Sequence, residues 1–573
     1  MRGRHVDTGH GQIRIWTTDD RPGVLVLPGI RWSGRPLAEE IALGAPELPV
    51  AVADLPGVAG SAPGAAAGVG PAADALAQVA GALGVHAIVG LDMSCDLAAA
   101  VAGRVPHCGE LVQVDPGYLA AAREMPPPDL TPRADGTHLS RLWQMVRNSH
   151  LFPPFSTRRA VPGRAEAPSA AALDRTVVAF AEHPEAFTAL WQTWCRAGED
   201  PFAGTRPAAV VVNSENTGPT PVVRWTGRLS RAHGRPAPVQ AAAGPPSAPA
   251  HDRAQRSLPL AVEPSPATAP SCAAASCATA PSGPAIVRGT AIRRDFLDTS
   301  AGQVHVRVAG DPEAPPLIAL HSAPGSARLL EPLMRGLAPD FHVIAPDYPG
   351  NGESDKPWRD GVDIGRLADA VAEVAERRAD GPVHLWGTHT GAVIALELCV
   401  RRPDLVRRAV LEAPPLLPAE FTSDILENYL PPLRADRFGS HLVRAWGMRH
   451  DMFLFWPWYR DRTAADRPLR VPRARELHDW TVGLLQSGPT YHLSYAAAFR
   501  YPTRDRLPEL TVPALICAGP DDMLADNLPA LRSAAPDGVT LASTPATCWY
   551  PDQDPAAVAE TVRLYRDFLT AVP

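Results

Sequence analysis

The same series of segments occurs twice along this chain of 573 residues, and that repeat constrains the fold more than any other feature. In each copy an apolar run ends in a turn of small residues, at 23–34 and at 316–327. A second run leads into an Asp-x-Pro-Gly turn that closes at Ser61 or Ser354, and a third run feeds a sharp turn and a helix. Apolar strands that alternate with helical segments predict βαβ units on a mainly parallel sheet, once in each half.

A motif further along each copy indicates gene duplication. The pattern His-Leu-x-Arg-x-Trp-x-Met begins at His138 and again at His441. Duplication is the simplest account of a match this long. Because His441 and Arg444 have counterparts in both halves, we expect them to stabilise the structure rather than bind a substrate.

Low-complexity sequence separates the two copies. Residues 263–285 are dominated by Ala, Pro and Ser, and such sequence cannot bury enough apolar surface to offset the entropy of ordering it. We therefore predict a first domain at 1–262, a linker at 263–285 and a second domain at 286–573.

Composition excludes several functions. The formal net charge of −7 argues against an electrostatic grip on nucleic acid or on anionic membranes. The chain shows no secretory signal and no apolar stretch long enough to span a membrane, so we expect a cytoplasmic protein. No metal-type cysteine spacing and no glycine-rich phosphate loop is present, so no metal or cofactor is predicted. The expected partners are a small-molecule substrate and the other half of the same chain, and the oligomeric state is left open.

Several motifs of the second half, taken in order, resemble those of the α/β-hydrolase superfamily over 286–573. They are the His321-Ser-x-Pro-Gly325 turn, the segment APDYPGNGESDKP, the Gly387-Thr-His-Thr-Gly391 turn, Asp522 after a late strand, and the terminal segment CWYPDQDPAAVAETVRLYRDFL. The first half resembles the same family more weakly. The resemblance implies two tandem α/β-hydrolase domains, each a mainly parallel sheet flanked by helices. It also implies a helical cap in each, at about 117–205 and about 414–510.

The second half departs from the family at its catalytic positions. In the family, a G-x-S-x-G elbow exposes the nucleophile, and the next backbone N–H is an oxyanion donor. Here His389 takes the place of the serine, Asp522 keeps the acid position, and Cys548 takes the place of the general-base histidine. The resemblance assigns the oxyanion donors to the backbone N–H groups of Ala323 and Thr390.

The first half departs further. Asp92 stands at its nucleophile position and Asn216 at its acid position. We align Asp115 with Glu412, which follows a strand of the second half where haloalkane dehalogenases place their acid. Asp92 could form an ester as the nucleophile does in those enzymes, but such chemistry needs a base to resolve it, and no histidine is well placed. We predict a degenerate, structural domain.

Three interpretations of the second half compete. We prefer an enzyme in which His389, tuned by Asp522 or Glu412, performs acid/base chemistry on a small, largely apolar substrate. The reaction would be hydrolysis or a biosynthetic step such as dehydration or cyclisation. The second interpretation is a pseudoenzyme that binds a small molecule or serves as a scaffold. The third is a covalent hydrolase or acyltransferase that uses a Cys548 thiolate paired with His389. The candidate substrate-binding aromatics are Trp456, Trp458 and Trp549.

Overall fold

We describe the fold from a computed structural model. It describes residues 1–151, 168–200, 209–212, 291–460 and 465–571. Asn216 and the predicted linker at 263–285 lie outside these residues, and the predicted domain boundaries therefore stay predictions.

The first half forms a mixed sheet, whose seven described strands follow the order β1-β2-β4-β3-β5-β6-β7. The first two pairings in this order are antiparallel and the rest are parallel. The strands are β1 Arg2–Thr8, β2 Gly11–Thr17, β3 Val24–Leu27, β4 Val50–Ala53, β5 Ala87–Leu91, β6 Glu110–Val114 and β7 Ala209–Val212. The helices are α1 Gly34–Gly44, α2 Val69–Leu83, α3 Cys95–Ala102, α4 Gly117–Arg123, α5 Thr137–Leu151, α6 Ala170–Ala181 and α7 Pro184–Arg196.

The second half repeats this arrangement in a sheet of eight described strands, ordered β8-β9-β11-β10-β12-β13-β14-β15. The strands are β8 Arg293–Thr299, β9 Gly302–Ala309, β10 Pro316–Leu320, β11 His342–Pro346, β12 Val383–Thr388, β13 Val406–Glu412, β14 Ala514–Ala518 and β15 Thr540–Ser543. The helices are α8 Glu331–Leu337, α9 Ile364–Arg378, α10 Thr390–Arg401, α11 Ala419–Asn428, α12 Ser440–Leu454, α13 Ala474–Ser487, α14 His492–Arg500, α15 Thr503–Arg506, α16 Leu528–Ala534 and α17 Pro555–Thr570. The predicted fold class, two mostly parallel sheets flanked by helices, is confirmed.

Burial explains why these apolar runs become strands. Every residue of β3, β4 and β5 is buried, as is every residue of β12 and β14. Helices cover both faces of such parallel strands, so the sequence can be apolar without alternation. The carboxyl ends of the central strands are thereby held rigidly, and the sharp turns that follow β5 and β12 are placed at that edge.

Two glutamines link the antiparallel edges of the two sheets. The side-chain amide of Gln12 bonds to the backbone N–H and C=O of Arg294, at 2.7 and 3.1 Å. The amide of Gln303 makes the same pair of bonds to Gly3, at 2.7 and 3.3 Å. Because Gln12 and Gln303 occupy equivalent positions in β2 and β9, the two contacts are reciprocal.

The repeated His-Leu-x-Arg-x-Trp-x-Met motif forms a second reciprocal contact, between α5 and α12. The indole of Trp143 donates to the carbonyl of Arg437, and the indole of Trp446 donates to the carbonyl of Ala134. Each indole also lies edge-on to a histidine of the other half, with ring centroids 5.2 Å apart. The motif's tryptophans and histidines therefore hold the two halves together.

Among the described residues, no helix combines the length and the apolar character needed to cross a membrane.

Candidate active site

The turn after β12 places His389 at the carboxyl end of the sheet. His389 has φ 48° and ψ −110°, a conformation that is strained for any residue except glycine. The flanking glycines make the turn possible. A Cβ on Gly387 would lie 2.3 Å from the carbonyl oxygen of Gly391, and one on Gly391 would lie 2.2 Å from that of Leu320. The strained elbow expected from the sequence is therefore present.

His389 and Asp522 form a buried pair. The Nε2 atom of His389 lies 2.9 and 3.0 Å from the two carboxylate oxygens of Asp522. Asp522 is held in turn by the backbone N–H of Leu524, which donates to it at 2.8 Å. The Trp549 ring lies edge-on to the imidazole at 5.1 Å. Because a carboxylate accepts hydrogen bonds, the pair favours a proton on Nε2 and leaves Nδ1 with a free lone pair.

Ser322 occupies the other side of the imidazole, and sequence reasoning missed it. Its Oγ lies 3.5 Å from Nδ1 of His389, in the turn that follows β10. Ser322, His389 and Asp522 therefore line up as hydroxyl, imidazole and carboxylate, although the imidazole stands at the elbow. The signal available in the sequence was the serine after His321, in the turn that the family uses for an oxyanion donor.

Two backbone N–H groups of the second half are the oxyanion donors that the family resemblance predicts. They belong to Ala323 and Thr390, and within the described part of the chain neither has a hydrogen-bond acceptor. Thr390 is the first residue of α10, where an N–H has no partner within the helix. The site therefore offers two donors that could stabilise a negatively charged oxygen.

A small cavity opens beside the imidazole. Its volume is about 20 Å³, which is room for about one water molecule. Ser322, Ala323, His389 and Trp549 line it, as do eleven further residues. These are Tyr429, Arg449, Met452, Phe453, Arg467, Trp480, Tyr495, Met523 and Tyr550, with Pro324 and Leu329.

Glu412 and Cys548 are not among the residues that line this cavity. The backbone carbonyl of Glu412 accepts from the N–H of His389, but burial and the charge of Asp522 raise the pKa of its carboxyl well above the ordinary value. Burial and the nearby Glu412 likewise raise the pKa of the Cys548 thiol. In the described residues no hydrogen bond joins Cys548 to His389, so these observations weigh against a thiolate–imidazolium pair.

Of the three candidate substrate-binding tryptophans, the structure places only Trp549 at the cavity. Trp456 and Trp458 instead pack against Tyr429, with ring centroids 5.5 and 6.1 Å away. Tyr429 itself lines the cavity. Trp456 and Trp458 therefore support a wall residue and do not reach the imidazole.

In the first half, the carboxylate of Asp92 fills the space that corresponds to the oxyanion site. Asp92 also has a positive φ, 41°, and one of its oxygens accepts from the backbone N–H groups of Ile30 and Met93. Its other oxygen accepts from Arg31 at 3.1 Å, and Arg31 also binds Asp115 at 2.7 Å. The two backbone N–H groups equivalent to the candidate oxyanion donors of the second half therefore already have an acceptor.

The alignment of Asp115 with Glu412 is wrong by one residue. In the strand registers, Leu91 pairs with Val114 just as Thr388 pairs with Glu412. Asp115 is therefore equivalent to Ala413, and both have a positive φ, 55° and 47°. One residue matters here because successive side chains of a strand point to opposite faces of the sheet.

Among the described residues, no group of three or more His, Cys, Asp or Glu side chains could hold a metal ion.

The strand order, the strained elbow and the buried imidazole–carboxylate pair define the second half as an α/β-hydrolase-type domain. Residues 315–538 match the family model described as alpha/beta hydrolase fold. The second half of the chain belongs to the α/β-hydrolase fold family.

Individual relatives are hydrolases by name. The protein named "Putative carbamate hydrolase RutD" from Rhizobium rhizogenes is 26% identical over 238 residues, which cover 40% of this chain and 84% of that protein. A 2-(acetamidomethylene)succinate hydrolase from Mesorhizobium japonicum is 32% identical over 109 residues, 19% of this chain and 39% of that protein. A solved hydrolase structure from Pseudomonas aeruginosa shares 22% identity and a TM-score of 0.38, over 48% of this chain and 98% of that one.

Proposed function

We propose that the second half is a hydrolase in which His389 acts as a general base on a small, largely apolar substrate. The observation that carries the proposal is the orientation of its imidazole. Nε2 is held by Asp522, and Nδ1 faces Ser322 at the cavity. An imidazole whose Nδ1 lone pair is free can accept a proton from an attacking oxygen, which suits general-base catalysis.

Hydrolysis is the reaction class that the surroundings of His389 favour. The N–H groups of Ala323 and Thr390 suit the oxyanion of a tetrahedral intermediate, which a dehydration or cyclisation without acyl transfer does not form. His389 would take a proton from the attacking oxygen at Nδ1 and return it to the leaving group. The names of the relatives, a carbamate hydrolase among them, agree with this class.

The attacking oxygen belongs either to water or to Ser322. If it is the Ser322 hydroxyl, an acyl-serine forms and water then releases the acid, with His389 moving the proton in both steps. If it is water, the cavity that His389 lines has room for about one such molecule. The first route requires the Ser322 hydroxyl, and the second does not.

Substrate entry requires the cavity to enlarge. The space beside His389 holds about one water molecule, and two of its walls are Met452 and Met523, whose unbranched side chains adapt readily to new neighbours. The second candidate function is a pseudoenzyme that binds a small molecule, and the observation that favours it is that His389 stands where the family has its nucleophilic serine.

The test is hydrolysis of p-nitrophenyl butyrate by the full chain. His389→Ala should lower kcat by about 10²- to 10⁴-fold, the usual contribution of general acid–base catalysis, while the melting temperature stays close to that of the wild type. Asp522→Asn should lower it in the same direction. His150→Ala, at a half-buried histidine of the first half, serves as the control. Full activity in His389→Ala would overturn the proposal.

Ser322→Ala separates the two routes. Loss of activity together with loss of a mass adduct from a fluorophosphonate probe indicates an acyl-serine. Retained activity indicates direct attack by water, with His389 still required.

A further inference from the structure

We propose that the cavity beside His389 binds a substrate that carries a carboxylate, and that Arg449 binds this group. The inference rests on the proposed function and adds the class of substrate to it. Its ligand is an organic monoanion whose remaining surface is apolar.

Arg449 is buried, and no described residue provides a counter-ion for it. Only 3% of its surface is exposed, and it projects from the cap helix α12 into the lining of the cavity. One Nη atom donates to the carbonyl of Pro324 and the other lies 3.3 Å from the sulfur of Met452. Among the described residues no carboxylate lies within ion-pair distance of Arg449, and its Nε has no partner.

Such an arrangement is costly unless something compensates for it. Burial lowers the pKa of Arg449 to about 10, so the group keeps its positive charge at neutral pH. Buried charges in proteins are normally paired with an opposite charge. The carbonyl and the sulfur that contact Arg449 are neutral, so the charge that is missing must come from outside the described protein groups.

The shape of the site favours a carboxylate. A guanidinium presents a planar fork that matches the two oxygens of a carboxylate. The Trp480 ring lies against the guanidinium at 5.5 Å and holds its plane. A second arginine, Arg467, also lines the cavity, where the carbonyl of Asp521 and the hydroxyl of Tyr550 position it at 2.9 and 3.2 Å. The other walls are largely apolar and aromatic, which suits a singly charged organic acid.

The first half provides an internal comparison. Counting from His138 and His441, the residue equivalent to Arg449 is Val146, which is fully buried in the core. The first half is also the one whose oxyanion donors are taken by Asp92. The buried guanidinium therefore occurs in the half whose donors are free, and not at the equivalent position of the other half.

The test compares two ligands of nearly equal shape, phenylacetate and its neutral amide, phenylacetamide. Binding to the full chain is measured by isothermal titration calorimetry, which needs no turnover. We expect the wild type to bind phenylacetate at least tenfold more tightly than phenylacetamide. Arg449→Val, which installs the first-half residue, should abolish that preference, and Arg449→Lys should keep part of it.

Arg444→Val is the matched control, because Arg444 lies on the same helix and is exposed. It should leave the preference unchanged. If Arg449→Val does not fold, the affinities of the wild type and of Arg449→Lys for the two ligands still test the inference. Equal affinities, a preference that survives Arg449→Val, or binding of neither ligand would each overturn the inference. Absence of ester hydrolysis alone would overturn the proposed function and leave this binding result intact.

Discussion

Replacing Asp92 with asparagine should destabilise the first half and leave the second-half site intact. The carboxylate of Asp92 is fully buried and pairs with the Arg31 guanidinium at 3.1 Å. Removing one partner of a buried ion pair costs about 3–5 kcal/mol, because the other charge stays buried. Asparagine keeps an oxygen for the N–H groups of Ile30 and Met93, and Arg31 keeps Asp115. We therefore expect the low end, about 3 kcal/mol.

That loss is large enough to measure by thermal unfolding. For a domain of roughly 200 residues, 1 kcal/mol shifts the melting temperature by about 2–4 °C, so Asp92→Asn should lower it by roughly 6–12 °C. Hydrogen exchange of the β5 and β6 amides should locate the loss in the first half. In an Arg31→Met background the same substitution should cost less, since the pair is already broken.

The sign of the effect separates a structural carboxylate from a catalytic one. A catalytic nucleophile held in a strained elbow commonly lowers the stability of the fold. Replacing such a residue therefore tends to stabilise the fold or to leave its stability unchanged. If Asp92→Asn leaves the melting temperature unchanged or raises it, the structural role assigned to Asp92 is wrong. Loss of p-nitrophenyl butyrate hydrolysis in a folded variant would also contradict it.

Two further outcomes are expected. Cys548→Ser should keep full esterase activity, because the buried thiol has a raised pKa and stays protonated; inactivity of the folded variant would restore the covalent alternative. Burial lowers the pKa of His138 to about 3 and that of His478 to about 4, and their ring nitrogens bond at 2.9 Å. The unfolded chain therefore takes up protons below about pH 6.5 while these residues stay neutral in the folded state, so their contribution to stability should fall between pH 6.5 and 4. In urea unfolding, the deficit of His138→Gln relative to the wild type should be largest at pH 7 and shrink below pH 6.5; a constant deficit would contradict this.

The strands and the sharp turns that follow them could be predicted from the sequence, because their signals are local. Continuous apolar runs such as Ala87–Leu91 and Val383–Thr388 can be buried only as internal strands. The glycines at 387 and 391 mark a turn in which any larger residue would collide with backbone. The fold therefore follows from turn residues and apolar runs, both of which can be recognised in the sequence.

The site was only partly predictable, because it depends on the direction in which side chains point. Asp522 could be placed beside His389 because both follow strands at one edge of the sheet. Glu412 also ends a strand, yet its side chain is not part of the cavity lining. The sequence around Arg449 and Ser322 did not indicate that they belong to the site. Arg449 lies on helix α12 and Ser322 in a loop, and tertiary packing decides where their side chains point.

In a homodimer, both copies of a symmetric contact are encoded by the same codons, so one mutation changes both copies. Here the hydrogen bond between Trp143 and Arg437 and the equivalent one between Trp446 and Ala134 are encoded by separate codons. Either contact can therefore change in sequence while the other continues to hold the two halves together. A difference such as Val146 in one half and Arg449 in the other can therefore exist without the same residue being required in both halves.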